Sequence, residues 1–298
     1  MLVEQIINGI VLGSMYALIA QGYTLVFGVL DKLNFAHSEI FMLGGFVAVA
    51  SVGLGAPPQI ALPVALAVTI VACGLLGLLV EWAGFRKFRS RDAHITAALS
   101  SFAIGLVFID LAQKTWGTEP VAIALPDELR IASVELFGIR IVLVKLAILA
   151  LSLALMLVLH LVVARTRLGR SIRAVAESPV DAALYGINVT RVTQLVFFIA
   201  SAMAGVAGMA LTVRTGYANT DTGFSFGLKA LAIMAIGGMG DLRGAFLGGL
   251  LVGVLEALAF QWELGQLADV AVWLFMIAVL LVRPQGLFGA AGAKDTRA

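Results

Sequence analysis

Residues 5–30 read QIINGIVLGSMYALIAQGYTLVFGVL and contain no Asp, Glu, Lys or Arg. At ~1.5 Å per residue, a helix of this length crosses the ~30 Å hydrocarbon core of a bilayer. The only charge before it is Glu4. The run therefore lacks the basic opening of a cleaved signal peptide and is read as a retained span.

The same signal recurs along the chain. Residues 40–80 are free of charge but are broken at Ala56-Pro57-Pro58, which reads as two spans joined by a turn. Further apolar runs cover 95–113, 141–164, 192–213, 224–238, 244–260 and 267–282. This makes about nine candidate spans, with eight to ten open because the short runs 40–55 and 224–238 can be re-entrant or broken. Backbone amides in lipid need internal partners, so the spans are expected to be helices. The fold class is thus an all-α polytopic membrane protein, with residues 1–298 forming one transmembrane domain.

Composition agrees. Of 298 residues, 61% are hydrophobic and 13% charged, against about 25% charged in an ordinary soluble domain. A soluble globule of this size has no place to hide so much apolar surface. A soluble enzyme, a nucleic-acid binder and a secreted disulfide scaffold are excluded. The single cysteine, Cys73, allows no intrachain disulfide and reads as a small core residue.

Lys and Arg placement orients the chain. With nine alternating spans, the segments 31–38, 83–94, 165–191, 239–243 and the tail from 283 carry fourteen basic residues, and the opposite segments carry four. Lys145 and Lys229 fall within spans. The expectation is an amino terminus outside and a carboxyl terminus in the cytoplasm. Gly240, Gly244 and Gly248 are spaced i, i+4, i+8, and Gly249 with Gly253 continues a neighbouring row, as on closely packed membrane helices.

The largest basic loop, RTRLGRSIRAVAESPVDAALYGINVTR over 165–191, contains the signals of a short helix. Ser178 suits the N-cap, Pro179 the first helical position, and Asp181 stands three residues after the cap. Ala182 and Ala183 continue it, and Gly186 can end it in the left-handed conformation. So short a helix needs a surface to dock on. That surface is either the lipid or a cytoplasmic partner.

At these residues the chain resembles the permease subunits of ATP-driven, ABC-type importers for branched-chain amino acids. Permeases for ribose-type sugars, urea and short amides are more distant. The resemblance covers nearly the whole chain. It is carried by Asn34-Phe35-Ala36-His37, Leu168 through Val189, Gly227-Leu228-Lys229-Ala230, Gly237-Gly238-Met239-Gly240, Gly244-Ala245 with Gly248-Gly249, and Arg283-Pro284-Gln285-Gly286-Leu287. Ser38 stands where the family pattern has glycine. The resemblance implies that Glu177, Ser178, Pro179, Asp181, Ala182, Ala183 and Gly186 belong to a segment that docks on an ATPase subunit. It also implies a second permease (similar or identical), two cytoplasmic ATPases that use ATP and Mg, an extracytoplasmic solute-binding protein, and a multi-pass location in a bacterial inner membrane.

Ionisable and polar groups within spans are costly and often functional. Lys229 and Glu256 lie at similar depth if 224–238 and 244–260 form a hairpin; they then either pair structurally or line the pathway. Asn34 and His37 precede the second span and are candidates for pathway or capping groups, and Gly237, Gly238 and Gly240 for a close helix pair or the pathway. Asp110 is expected near a span end and His160 on a packed face. No His, Cys or carboxylate group has metal-ligand spacing, and no G-x-x-x-x-G-K-[ST] is present, so the chain is expected to bind no cofactor itself. Gly223-Phe224-Ser225-Phe226-Gly227 matches G-x-S-x-G, but in a membrane helix it lacks the strand-to-helix elbow of a hydrolase. The expected function is an amino-acid permease without enzymatic activity. The alternative is a stand-alone channel or secondary carrier for a small polar solute such as urea or an amide.

Overall fold

A computed structural model describes residues 2–55, 57–88, 93–125, 132–136, 139–262 and 265–289. Ala56 of the expected turn, and Arg89, Arg91, Arg130, Lys294 and Arg297 of the charge asymmetry, lie outside the described residues. Among the described residues, nine apolar helices fall on the nine runs: α1 (Leu2–Leu30), α2 (Ala36–Val52), α3 (Pro58–Val80), α4 (His94–Trp116), α5 (Leu143–Arg165), α8 (Val189–Thr215), α9 (Thr222–Gly237), α10 (Leu242–Gln261) and α11 (Ala268–Val282). Six are long and apolar enough to cross a membrane, while α2, α9 and α11 are shorter. Two further helices, α6 (Arg167–Glu177) and α7 (Pro179–Leu184), occupy the large basic loop. The chain is an all-α polytopic membrane protein.

The longest helix forms the axis. In α1, 89% of the most apolar stretch is enclosed by protein, against 22% in α5. So α1 is central, and α5 is largely uncovered by the rest of the chain. Hydrophobic burial does not drive helices together in lipid, so close van der Waals packing must. Small residues provide it. On α1, Gly9, Gly13 and Ala17 face Gly249, Gly253 and Ala257 of α10; a Cβ on Gly253 would collide with the Gly13 backbone, and one on Gly249 would sit 2.6 Å from Ala17 N. A second crossing joins α2 to α8, where Gly44 meets Gly205 and Gly208 meets the Phe41 carbonyl.

The Gly240, Gly244, Gly248 row is not a continuous helix face. Gly240 lies in the turn before α10 with φ +93°. Gly244 abuts Gly237 and Gly248 abuts Ile233, so both close the α9–α10 hairpin.

Two small ladders depart from a purely helical chain. β1 (Val121–Ala122) pairs antiparallel with β4 (Tyr217–Ala218), with Val121 opposite Ala218. β2 (Ser133–Leu136) pairs antiparallel with β3 (Ile139–Val142), with Ser133 opposite Val142. The first ladder ties the connection after α4 to the one after α8. At the other end of the bundle, His94 Nδ1 lies 2.8 Å from the Asp31 carbonyl oxygen, and Lys32 Nζ donates to the Phe88 carbonyl. Gly240 lies against Gly28 there, and Val175 and Pro179 line one pocket with Lys32 and Phe88, so these basic connections gather at one end.

Candidate functional site

The basic end carries a compact helical elbow. Thr166 Oγ1 caps α6 by accepting from Gly169 N at 3.1 Å. One face of α6 buries Gly169, Ile172 and Val175 and leaves Arg167, Arg170 and Arg173 outside. Ser178 then ends α6 and caps α7, its Oγ accepting from Asp181 N at 3.2 Å. Gly186 stops α7 with φ +80°. Its N–H donates to Ala183 O at 3.0 Å, and Ile187 N–H to Ala182 O at 3.0 Å. These are the two bonds of a Schellman motif. Asn188 Oδ1 caps α8 in turn, accepting from Arg191 N at 3.0 Å.

Short as it is, α7 is held by caps at both ends and by buried Ala182. Glu177, Asp181 and Ala183 are exposed beside it. Its outer face is apolar: Val180 is 70% exposed, Leu184 80% and Tyr185 87%. Val180 and Leu184 are one turn apart, so they form a single projecting knob. The sequence reading located α7 but missed α6, whose clue was the 3–3 spacing of Gly169, Ile172 and Val175.

A second constellation lies inside the bundle. Lys229 Nζ on α9 is 3.0 Å from Glu256 Oε1 on α10. Tyr16 OH on α1 donates to Glu256 Oε2 at 2.7 Å. Lys229 also reaches Asp269 Oδ1 on α11 at 2.7 Å, and Tyr16 OH at 3.3 Å. Four helices are thereby joined at one cation. Tyr16 and Asp269 were not singled out in the sequence, because partners this distant along the chain carry no local signal.

The junction of α1 and α2 is polar and closed. His37 is fully buried over Gly22, with its ring 4.5 Å from that of Tyr23. Asn34 is 2% exposed. Neither Asn34 side-chain atom finds a hydrogen-bond partner among the described residues. Ser38 occupies its position because Gly227 faces it; a Cβ there would collide with Ser38 Cβ. Ser38 Oγ lies 2.9 Å from Phe35 O and 3.2 Å from Glu39 Oε1. Glu39 is itself buried, 5% exposed. It escaped notice in the sequence because it stands one residue before the charge-free run 40–80.

Two distant motifs meet at the α9–α10 turn. Gly238 has φ +106° and Gly286 φ +80°. Leu287 N–H donates to Ile236 O at 2.8 Å, and Phe288 N–H to Gly237 O at 3.0 Å. The Arg283–Leu287 stretch thus closes over the carbonyl end of α9. Asp110 is exposed in an ion pair with Lys114, and Ser225 is exposed on α9.

Comparison with known proteins follows the same residues. The family described as "Branched-chain amino acid transport system / permease component" matches residues 5–282. The high-affinity branched-chain amino acid transport system permease protein BraD of Pseudomonas aeruginosa is 34% identical, over 96% of this chain and 95% of its own. The corresponding permease protein LivH of Escherichia coli is 34% identical, with 96% and 95% covered. The ribose import permease protein RbsC of Haemophilus influenzae is 26% identical, over 94% of this chain and 83% of its own. No solved structure matches.

Proposed function

The chain belongs to the permease-component family of branched-chain amino acid transport systems, and we propose that it pairs with a second, similar or identical permease to enclose a pathway for leucine-type amino acids. The importer is ATP-driven, and hydrolysis takes place on two separate cytoplasmic ATPases. A soluble extracytoplasmic protein delivers the solute. The basic end of the bundle faces the cytoplasm, in keeping with the fourteen-to-four distribution of Lys and Arg, and the amino terminus lies outside. In a bacterium the location is the inner membrane. The named relatives are transport-system permeases and lend no support to an autonomous carrier.

The observation that carries the coupling role is the knob of Val180, Leu184 and Tyr185. Apolar side chains this exposed on a helix rigidly capped at both ends fit a docking surface better than a connector. Closure of the ATPase pair moves α7; α6, which shares the Ser178 cap with it, and α8, which begins at Val189 just after it, carry the displacement into the spans.

The test uses Leu184→Cys in a Cys73→Ser background, in the complete complex. A bifunctional thiol crosslinker is expected to join this position to an ATPase, with a yield that changes between ATP-bound and nucleotide-free states. Absence of any ATPase adduct, together with leucine uptake by the purified chain alone in liposomes, overturns the reading.

A further inference from the structure

We infer that Glu39 receives the protonated amino group of the transported amino acid, at the floor of a groove between α4 and α9. This rests on the amino-acid permease reading above.

The groove is defined by packing. α4 and α9 both lie on α2, and both approach Glu39 through glycine. Gly105 of α4 sits over the Glu39 stem, where a Cβ would come within 3.2 Å of Cγ. Gly223 of α9 sits over the carboxylate, where a Cβ would collide with Oε2. Without side chains at these two glycines, both helix backbones close directly on Glu39 and leave it 5% exposed. The rim is apolar and open: Phe102 of α4 is 47% exposed and Phe224 of α9 61%.

The carboxylate is half satisfied. Oε1 is near Ser38 Oγ at 3.2 Å. Oε2 is buried and has no hydrogen-bond partner among the described residues. A buried carboxylate oxygen without a donor is expensive in a low-dielectric interior, and the cost is recovered when a cation arrives. The positive end of α9 points at the same place and attracts the carboxylate, yet the first N–H groups of α9 make no bond to Oε2. A primary ammonium suits this oxygen: it is compact, brings up to three donors, and leaves an aliphatic side chain for the Phe102 and Phe224 rim. Lys229 does not serve Glu39, because it is engaged with Glu256 and Asp269.

The experiment follows radiolabelled leucine uptake by the complete transporter in proteoliposomes, with Glu39→Gln and Glu39→Asp beside the wild type. Glu39→Gln keeps size and the Ser38 contact but removes the charge. It is expected to preserve assembly and basal ATP hydrolysis while lowering uptake roughly tenfold or more, the scale of one lost charge-assisted bond; Glu39→Asp recovers part of it. In a Cys73→Ser background, Glu39→Cys is expected to react with aminoethyl methanethiosulfonate during ATP turnover, and leucine with its receptor to slow the reaction. Wild-type uptake by Glu39→Gln overturns the inference, as does a Glu39→Cys complex that hydrolyses ATP and stays unreactive to the reagent. A wild-type complex that hydrolyses ATP and carries no leucine overturns the proposed leucine-type solute, and this inference with it.

Discussion

Lys229 Nζ lies 3.0 Å from Glu256 Oε1, with both side chains about nine-tenths enclosed, so α9 and α10 are joined by an ion pair inside the membrane domain. The pair is not symmetric. Lys229 has a second carboxylate, Asp269 at 2.7 Å, whereas Glu256 has Lys229 and the Tyr16 hydroxyl.

Losing Lys229 therefore leaves two carboxylates without their cation. Lys229→Ala is expected to cost roughly 3–5 kcal/mol, the scale for orphaning a buried charge. Glu256→Gln is expected to cost less, since Lys229 keeps Asp269. Thermal unfolding of the detergent-purified variants ranks them. The exchange Lys229→Glu with Glu256→Lys, made with Asp269→Asn so that no carboxylate faces position 229, separates scaffold from pathway: recovery of assembly and uptake assigns the pair to the scaffold, and recovery of assembly without uptake assigns it to the pathway.

Gly186 holds φ +80° and donates its N–H to Ala183 O. Proline can do neither, because its ring fixes φ near −65° and it has no N–H. Gly186→Pro is expected to abolish uptake while the protein stays in the membrane and its ATPases still hydrolyse ATP. Gly186→Ala meets no atom within 4 Å but keeps the unfavourable φ, and falls between wild type and Gly186→Pro. Paired uptake and phosphate-release assays decide it.

Charge on the exposed knob tests docking without disturbing the fold. Leu184→Asp and Tyr185→Asp alter side chains 80% and 87% exposed. Both are expected to leave thermal stability unchanged and to weaken copurification of the ATPases. Retention of ATPase at the wild-type ratio in both would count against α7 as the joint.

On α1, two glycines predict opposite outcomes. An alanine at Gly13 meets Leu250 Cα at 2.8 Å and Gly249 O at 2.7 Å, both backbone. It is expected to force α1 and α10 apart at about 1–3 kcal/mol. An alanine at Gly28 meets nothing nearer than 3.5 Å, and is expected to be silent. Melting temperatures of the two variants make the comparison.

How much of this was legible beforehand differs from element to element. The nine apolar helices were readable because a bilayer demands an uninterrupted apolar run, and such a run is a local property of the chain. The start and stop of α7 were readable for the same reason: Ser178 and Gly186 act on amides within three or four residues. The Gly249 and Gly253 row signalled close packing, though its partner face on α1 was not evident. Gly240 looked like part of a helical row by spacing alone, and the turn took it instead.

From sequence alone came the class of molecule, the position of its spans and the capped helix of the large basic loop, since these depend on residues near one another. Tertiary structure alone decided that Lys229 answers to Tyr16, Glu256 and Asp269 together, that Gly286 seals the turn at Gly238, and that one oxygen of Glu39 is buried between Gly105 and Gly223 without a donor. Whether a polar atom in the membrane is satisfied depends on which helices close around it, and those come from opposite ends of the chain.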